Sequence, residues 1–279
     1  MTTIASLLST LPSDTHAVPQ VSSMQKKVEA DLRYWGERGG GVSAGRVFDE
    51  TAGRLVVMPD LDRKLKHTRL QAGPSCGLAA AWIASDALGG GGTDVDEPAI
   101  AAALLDGAKA RCGPENQGEM FDARDLASVA EEVLPVQVSA CSVAGEEGAV
   151  RLVHHVAGGG AALVPYDVDA SGDPTEAGGS KAHWCAIVGI VTREPSAGAE
   201  DDDTSMVSQD GPLPSPLPSP DDVLFVLLQP KSRHVRFVSP RALFRSSVQL
   251  STACEAVGAF AIDATLAGRA LLLSSRLEA

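Results

Sequence analysis

The sequence predicts an α+β fold, on three observations. Helix-forming segments crowd the first half of the body and apolar, strand-like segments crowd the second. With 279 residues, 44% of them hydrophobic, the chain can bury a substantial core. Aromatic residues are only 4%, so that core must be built mostly from Ala, Val and Leu.

Taken in order, residues 1–55 read as a weakly ordered segment with one short helix in "SSMQKKVEADLRYWGER", followed by a flexible "GGGVSAG" joint. The body spans 56–279 and opens with the strand "GRLVVM". The helix "CGLAAAWIASDAL" starts at Cys76, because Gly73-Pro74 blocks helix upstream and the residues after it are good helix formers. Its alanines at 79, 80 and 81 let it pack closely, as a central helix must. Two more helices follow, "DEPAIAAALLDGAKA" and "DARDLASVAEEVL", the latter with Asp122 placed to cap its start. The strands are "VQVSACSV", "HWCAIVGIV", "VLFVLLQ" and "AFAI". "DVDASGDPTEAGGSKA", just before His183, reads as a loop. Residues 192–222, rich in acids, serines and prolines, read as a disordered insertion between two strands.

A net charge of −13 argues against general nucleic-acid binding, which needs an excess of Lys and Arg along a phosphate track. No run of some twenty apolar residues suits a membrane span. The start lacks a basic region of the kind that opens a secretory signal. Five cysteines, widely spaced and without a C-x-x-C pair, fit reduced thiols in the cytoplasm better than disulfides or a zinc site. No metal or cofactor is expected.

Cys76 at a helix N-terminus is the first chemical candidate, since unpaired N–H groups and the helix dipole stabilise a thiolate. A small buried residue at a helix start is the plain alternative. Gln71, five residues earlier on the approaching loop, could donate a hydrogen bond to an oxyanion. Of six histidines, His183 is the best placed base, because it opens an apolar strand at the rim of a sheet. On that strand His183, Cys185, Ile187 and Gly189 share one face, and Trp184, Ala186, Val188 and Ile190 the other. If Ile190 pairs with Asp222 in a hairpin, Gln229 falls opposite His183 and can orient its ring.

Beyond these groups, "LQAGPSCGLAAAW" (70–82), "GEMFDARDLASVA" (118–130), "AHWCAIVGI" (182–190), "LLQPKSR" (227–233) and "RSSVQL" (245–250) occur in an order that resembles the actin maturation proteases. These are papain-like cysteine peptidases, distantly similar to bacteriocin-processing enzymes. The resemblance implies a papain-like fold with a central helix carrying the nucleophile against an antiparallel sheet. It also implies an aminopeptidase that removes an N-acetylated first residue, Met or Cys, from immature actin. By position, Cys76 would be the nucleophile, His183 the base, Gln71 the oxyanion donor, and Gln229 would stand where related peptidases place Asp or Asn. The chain departs from the family at Pro230, where Gly is usual, and at Ser246-Ser247, where Ser-Asn is usual.

Actin N-termini are acidic, and two basic stretches suit them. "RKLKHTR" (63–69) leads into the Cys76 loop, and "KSRHVRFVSPRALFR" (231–245) follows Gln229 with five Lys/Arg and no acid. Lys64, Lys66, Arg69, Lys231 and Arg233 are therefore candidate substrate contacts. "PLPSPLPSP" (212–220) suits polyproline II and a groove such as that of profilin. The alternatives are a papain-like peptidase or amidase with another substrate, such as a ubiquitin-like tail, or a papain-like domain that has lost activity and binds actin or a partner.

Overall fold

Two uninterrupted apolar runs set the centre of the sheet. β3 (Ala161–Val168) and β6 (Val223–Leu228) are buried along almost their whole length, as strands covered on both faces must be. Between them lies β5 (Ala182–Arg193), whose first residues carry His183. The remaining strands are β1 (Leu55–Val57), β2 (Val136–Ser142), β4 (Pro174–Thr175), β7 (Val235–Val238) and β8 (Arg269–Ser275). All neighbours are antiparallel, in the order β2-β8-β3-β5-β6-β7, with β1 against the far end of β5 and β4 against the end of β3.

The computed structural model describes residues 55–57, 71, 73–89, 96–193, 223–232, 235–250 and 266–276. The segment up to residue 54, residues 194–222 with their proline-rich stretch, the "AFAI" strand, and Lys64, Lys66, Arg69 and Arg233 lie outside the described residues.

Helices cover both faces. α1 (Cys76–Ala87), α2 (Glu97–Cys112) and α3 (Ala123–Val133) close over one core, in which Leu78, Ile83, Leu126 and Val129 meet Trp184, Ala186 and Val188 of β5. α1 is apolar nearly all round and sits between the sheet and α3, which is why it needs its alanines. α3 begins as expected, with the Asp122 carboxylate accepting from the Arg124 N–H at 2.7 Å. α4 (Glu146–Ala157) and α5 (Pro240–Val248) close a second core over the opposite face, around Leu152, Tyr166, Ile187, Phe225 and Leu243. α4 carries Glu146 and Glu147 in its first turn and His154 and His155 in its last, matching its dipole. Among the described residues, no helix is long and apolar enough to cross a membrane.

The architecture is α+β with an antiparallel sheet, and two details differ from expectation. The hairpin pairs Ile190 with Phe225 and Ala186 with Leu228, with a bulge between Ile187 and Gly189, instead of Ile190 with Asp222. The strand runs on to Arg193 before the chain turns, so Thr192 and Arg193 belong to the sheet and not to the insertion. The bulge also moves Ile190 to the face of Cys185 and Ile187.

β3 contains Pro165, which a central strand tolerates only where one edge needs no ladder bond. That condition holds, because β8 pairs with β3 over Ala161–Leu163 alone. Further along the same strand α5 serves the main chain, through the Ser246 hydroxyl that contacts both N–H and C=O of Asp167 at 2.9 and 3.0 Å. The Asp167 carboxylate is fully buried and accepts from the N–H groups of Ala177 (3.0 Å), Gly179 (2.7 Å) and Lys181 (2.9 Å) and from the Gln249 amide (2.6 Å). Gly178 and Gly179, with φ of 66° and 88°, allow the turn to wrap round this anion. The wrapped turn delivers the chain to His183.

Replacing Asp167 with Ala leaves three main-chain donors and one amide without their acceptor. We expect Asp167→Ala to cost on the order of 3–5 kcal/mol in urea unfolding. A loss below about 1 kcal/mol would show that the carboxylate does not hold the turn.

Candidate active site

α1 starts at Cys76 because Gly73 adopts φ of 70° and Pro74 cannot continue a helix backwards. Ser75 occupies the cap position without capping the helix through its side chain. The half-buried Cys76 sulfur draws on the N–H groups of Cys76 and Gly77 and on the main chain of Trp184, the residue after His183. This approach requires glycine at 77, since a Cβ there would lie 3.1 Å from both Met120 Cβ and Trp184 Cδ1. Trp184 is fixed in turn by its indole N–H, which donates to the Met120 carbonyl at 2.8 Å. The "GEMF" stretch thus sets the distance between helix and strand.

His183 is buried, 2% exposed, and leaves the sheet on the face of Tyr166, whose ring it meets edge-on at 6.5 Å. Its Nε2 is buried and has no hydrogen-bond partner. Among the described residues no hydrogen bond joins the imidazole to the thiol. The thiol arrives from the α1 face and the imidazole from the other. Lys231 acts electrostatically on both.

Gln71 is tied to the opposite wall, its N–H donating to the Pro230 carbonyl at 2.8 Å. One amide proton goes to the Gly73 carbonyl at 2.7 Å, and the amide carries a second. The side-chain Oε1 is buried without a partner. Pro230 fits its place: the Ser232 N–H reaches the Gln229 carbonyl at 3.1 Å, closing a turn with proline at its second position.

Gln229 does not stand opposite His183; Tyr166 does. The register of β5 and β6 continues Gln229 toward Cys185, because Leu228 pairs with Ala186. Its amide nitrogen donates to the Tyr166 hydroxyl and the Gly172 carbonyl. Gln229 therefore meets the imidazole through Tyr166 and not by a direct bond. Cys185, the second thiol near the base, is fully buried, donates to the Val164 carbonyl at 3.3 Å, and has its pKa pushed up by burial.

Burial dominates the electrostatics. It raises the Cys76 thiol above its usual value, against the downward pull of the Trp184 main chain and the Lys231 charge. It lowers His183 from 6.5 to about 4, and Lys231 adds to that. Both shifts favour the uncharged form at neutral pH, a thiol at Cys76 and a neutral imidazole at His183. An ion pair at rest, which would let an uncharged Gln229 suffice, is not what this environment favours.

Sequence reasoning missed Tyr166, Asp167, Ser246 and Gln249. The "RSSVQL" stretch was the available signal, since Ser246 and Gln249 are the two residues of it that reach Asp167. Of the cation candidates, Lys231 is described and exposed at the site.

The family described as "Actin maturation protease-like, C-terminal domain" matches residues 66–191. A mouse (Mus musculus) protein named actin maturation protease is 32% identical over 226 residues, covering 73% of this chain and 61% of the relative. Bovine (Bos taurus) and human (Homo sapiens) proteins of the same name are each 34% identical, over 137 and 139 residues, or 48% of this chain. Those matches cover 38% and 37% of the bovine and human relatives, so the chain spans only part of their length.

Two measurements check the electrostatics. His183, depressed when folded, is neutral in the native state while the unfolded chain takes up a proton below pH 6.5. Its contribution is therefore full above pH 6.5 and is lost as pH falls to about 4, a difference of about 3 kcal/mol. Urea unfolding at pH 7 and pH 4 should show wild type losing about that much more than His183→Gln. In the second measurement, alkylation of Cys76 by iodoacetamide should keep rising with pH beyond the ordinary thiol range, and Lys231→Gln should slow it further near pH 8. A plateau already reached near pH 6 would contradict the neutral resting pair.

Proposed function

The chain belongs to the actin maturation protease family through its matched residues 66–191, and from that premise we propose that it is a papain-like cysteine aminopeptidase acting in the cytoplasm. Its substrate is the N-acetylated first residue, Met or Cys, of immature actin. The observation that carries the reading is the thiol at the start of α1 lying on the main chain of Trp184, one residue from a buried imidazole whose Nε2 lacks a partner. A buried nitrogen without a partner is costly to keep, and a reaction that uses it explains its retention.

The chemistry follows from the neutral pair. As the Cys76 sulfur attacks the carbonyl of the acetylated residue, His183 takes the thiol proton. The oxyanion is held by the Cys76 N–H and the second amide proton of Gln71. The carbon–nitrogen bond breaks as His183 returns the proton to the departing amine of the second residue. Water, deprotonated by the same imidazole, then hydrolyses the thioester and frees the thiol. Gln229 and Tyr166 hold the imidazole side of the cleft. Lys231 supplies a positive field that eases loss of the thiol proton while keeping His183 in its base form. Lys64, Lys66, Arg69 and Arg233 extend that field along an acidic substrate, and the proline-rich 212–220 stretch recruits actin bound to profilin.

Mass spectrometry of an acetyl-Met-Asp-Glu peptide should show loss of acetyl-Met with wild type and none with Cys76→Ala. His183→Ala should lower kcat/KM by about 10³ or more, and Gln71→Ala by roughly 10²–10³. Cleavage of unacetylated peptides in preference would move the chain to another substrate. Absence of cleavage by wild type across the panel would leave only a binding role.

A further inference from the structure

A cavity of about 670 Å³ lies at the start of β5, lined by Ala182, the residue before the imidazole, and by Lys231, whose charge acts on that imidazole. Its walls are the turn after β3 (Val168–Gly172), the approach to β5 (Ser180–Ala182) and the turn after β6, with Gln229, Lys231 and Ser232. Arg236 closes its floor. Among the described residues none of the Cys76 loop contributes to the wall, whereas Ala182, one residue before the base, and Gln229, bonded to Tyr166, do. The volume falls within the range of about 300–1,000 Å³ usual for sites that enclose a ligand.

The charges in it are not balanced. Arg236 is matched by Asp173 at 2.9 Å. The Asp169 carboxylate accepts from the Ser171 hydroxyl at 2.6 Å and the Asp173 N–H at 2.8 Å, bonds that hold its pKa down and keep one negative charge on the wall. Lys181 and Lys231 are exposed on opposite walls, and neither pairs with a carboxylate among the described residues. Lys181 is held in place because its N–H is one of the donors wrapped round Asp167. With Arg236 matched by Asp173, two ammonium groups face one carboxylate, Asp169, and the excess positive charge with few apolar side chains suits an extended segment bearing carboxylates and not an apolar one.

Reaction geometry says which segment. In acyl transfer to a thiol, the imidazole delivers a proton to the departing nitrogen, so the leaving chain must emerge on the imidazole side. We propose that this cavity binds the residues that follow the cleaved bond and that Lys181 and Lys231 select carboxylates there. This rests on the peptidase reading of Cys76 and His183. It adds Lys181 as a specificity residue and separates the pocket for the departing chain from that for the acetylated residue.

The test uses full-length Cys76→Ala, which binds without turnover, and a fluorescein-labelled peptide whose free N-terminus begins with three acidic residues. Anisotropy should show it binding about tenfold tighter than its Asn/Gln counterpart, with the preference shrinking as salt is raised. Lys181→Gln with Lys231→Gln should abolish the preference, Lys→Arg at both should keep it, and Arg151→Gln on α4 should leave it unchanged. Both lysines are exposed, so an unaltered thermal melt will show that the glutamine variant folds. Equal binding of the two peptides, or a preference that survives the double glutamine change, overturns the inference whatever the cleavage assay gives. Lys-dependent preference with no cleavage by wild type overturns the peptidase reading instead, leaving an acid-selective cavity.

Discussion

The buried carboxylate of Asp167 is the constraint on which the reactive end of the molecule depends. A carboxyl group with no exposure needs hydrogen-bond partners, and here three main-chain N–H groups and one side-chain amide supply them. Because those donors come from the turn before β5 and from the residue after α5, one ion fixes the end of β3, the start of β5 and the last helix together. The imidazole, its neighbour Tyr166 and the lysine on the cavity wall all take their positions from that arrangement. The second core supplies bulk, but it is this polar knot that sets the position of β5.

The thiol side is fixed by different means. It relies on close packing: a glycine at 77, an indole bonded to Met120, and a helix of small residues pressed against the strand. The two sides are joined at the Gln71 N–H and Pro230 carbonyl. Burial raises the Cys76 thiol and lowers the His183 imidazole, so both favour their uncharged forms at neutral pH.

Much of this was legible from residue patterns. α1, α2 and α3 were visible because helix formers, a proline block and an Asp cap speak locally, and β5 and β6 because long apolar runs do. The hairpin register was not, since a single bulge between Ile187 and Gly189 changes the pairing and no side chain announces it. β3 was hidden by Pro165, whose tolerance depends on how far a distant strand, β8, extends. α4 was obscured by its two histidines; His155 turns out to be structural, bonded through Nε2 to the Leu273 carbonyl at 2.9 Å. Asp167 looked like one acid among several in a loop. Its role comes from partners up to 82 positions away, and sequence spacing carries no trace of that.

β5 starts at Ala182, one residue before His183, near one rim of the sheet and ends at Arg193 on the other, where β6 begins with Val223. Ten residues of strand separate the imidazole from that hairpin end, roughly 30 Å. Arg193 and Val223, the two described residues that flank 194–222, therefore stand at the rim of the sheet away from the imidazole, so the sheet presents its histidine and its longest hairpin at opposite ends.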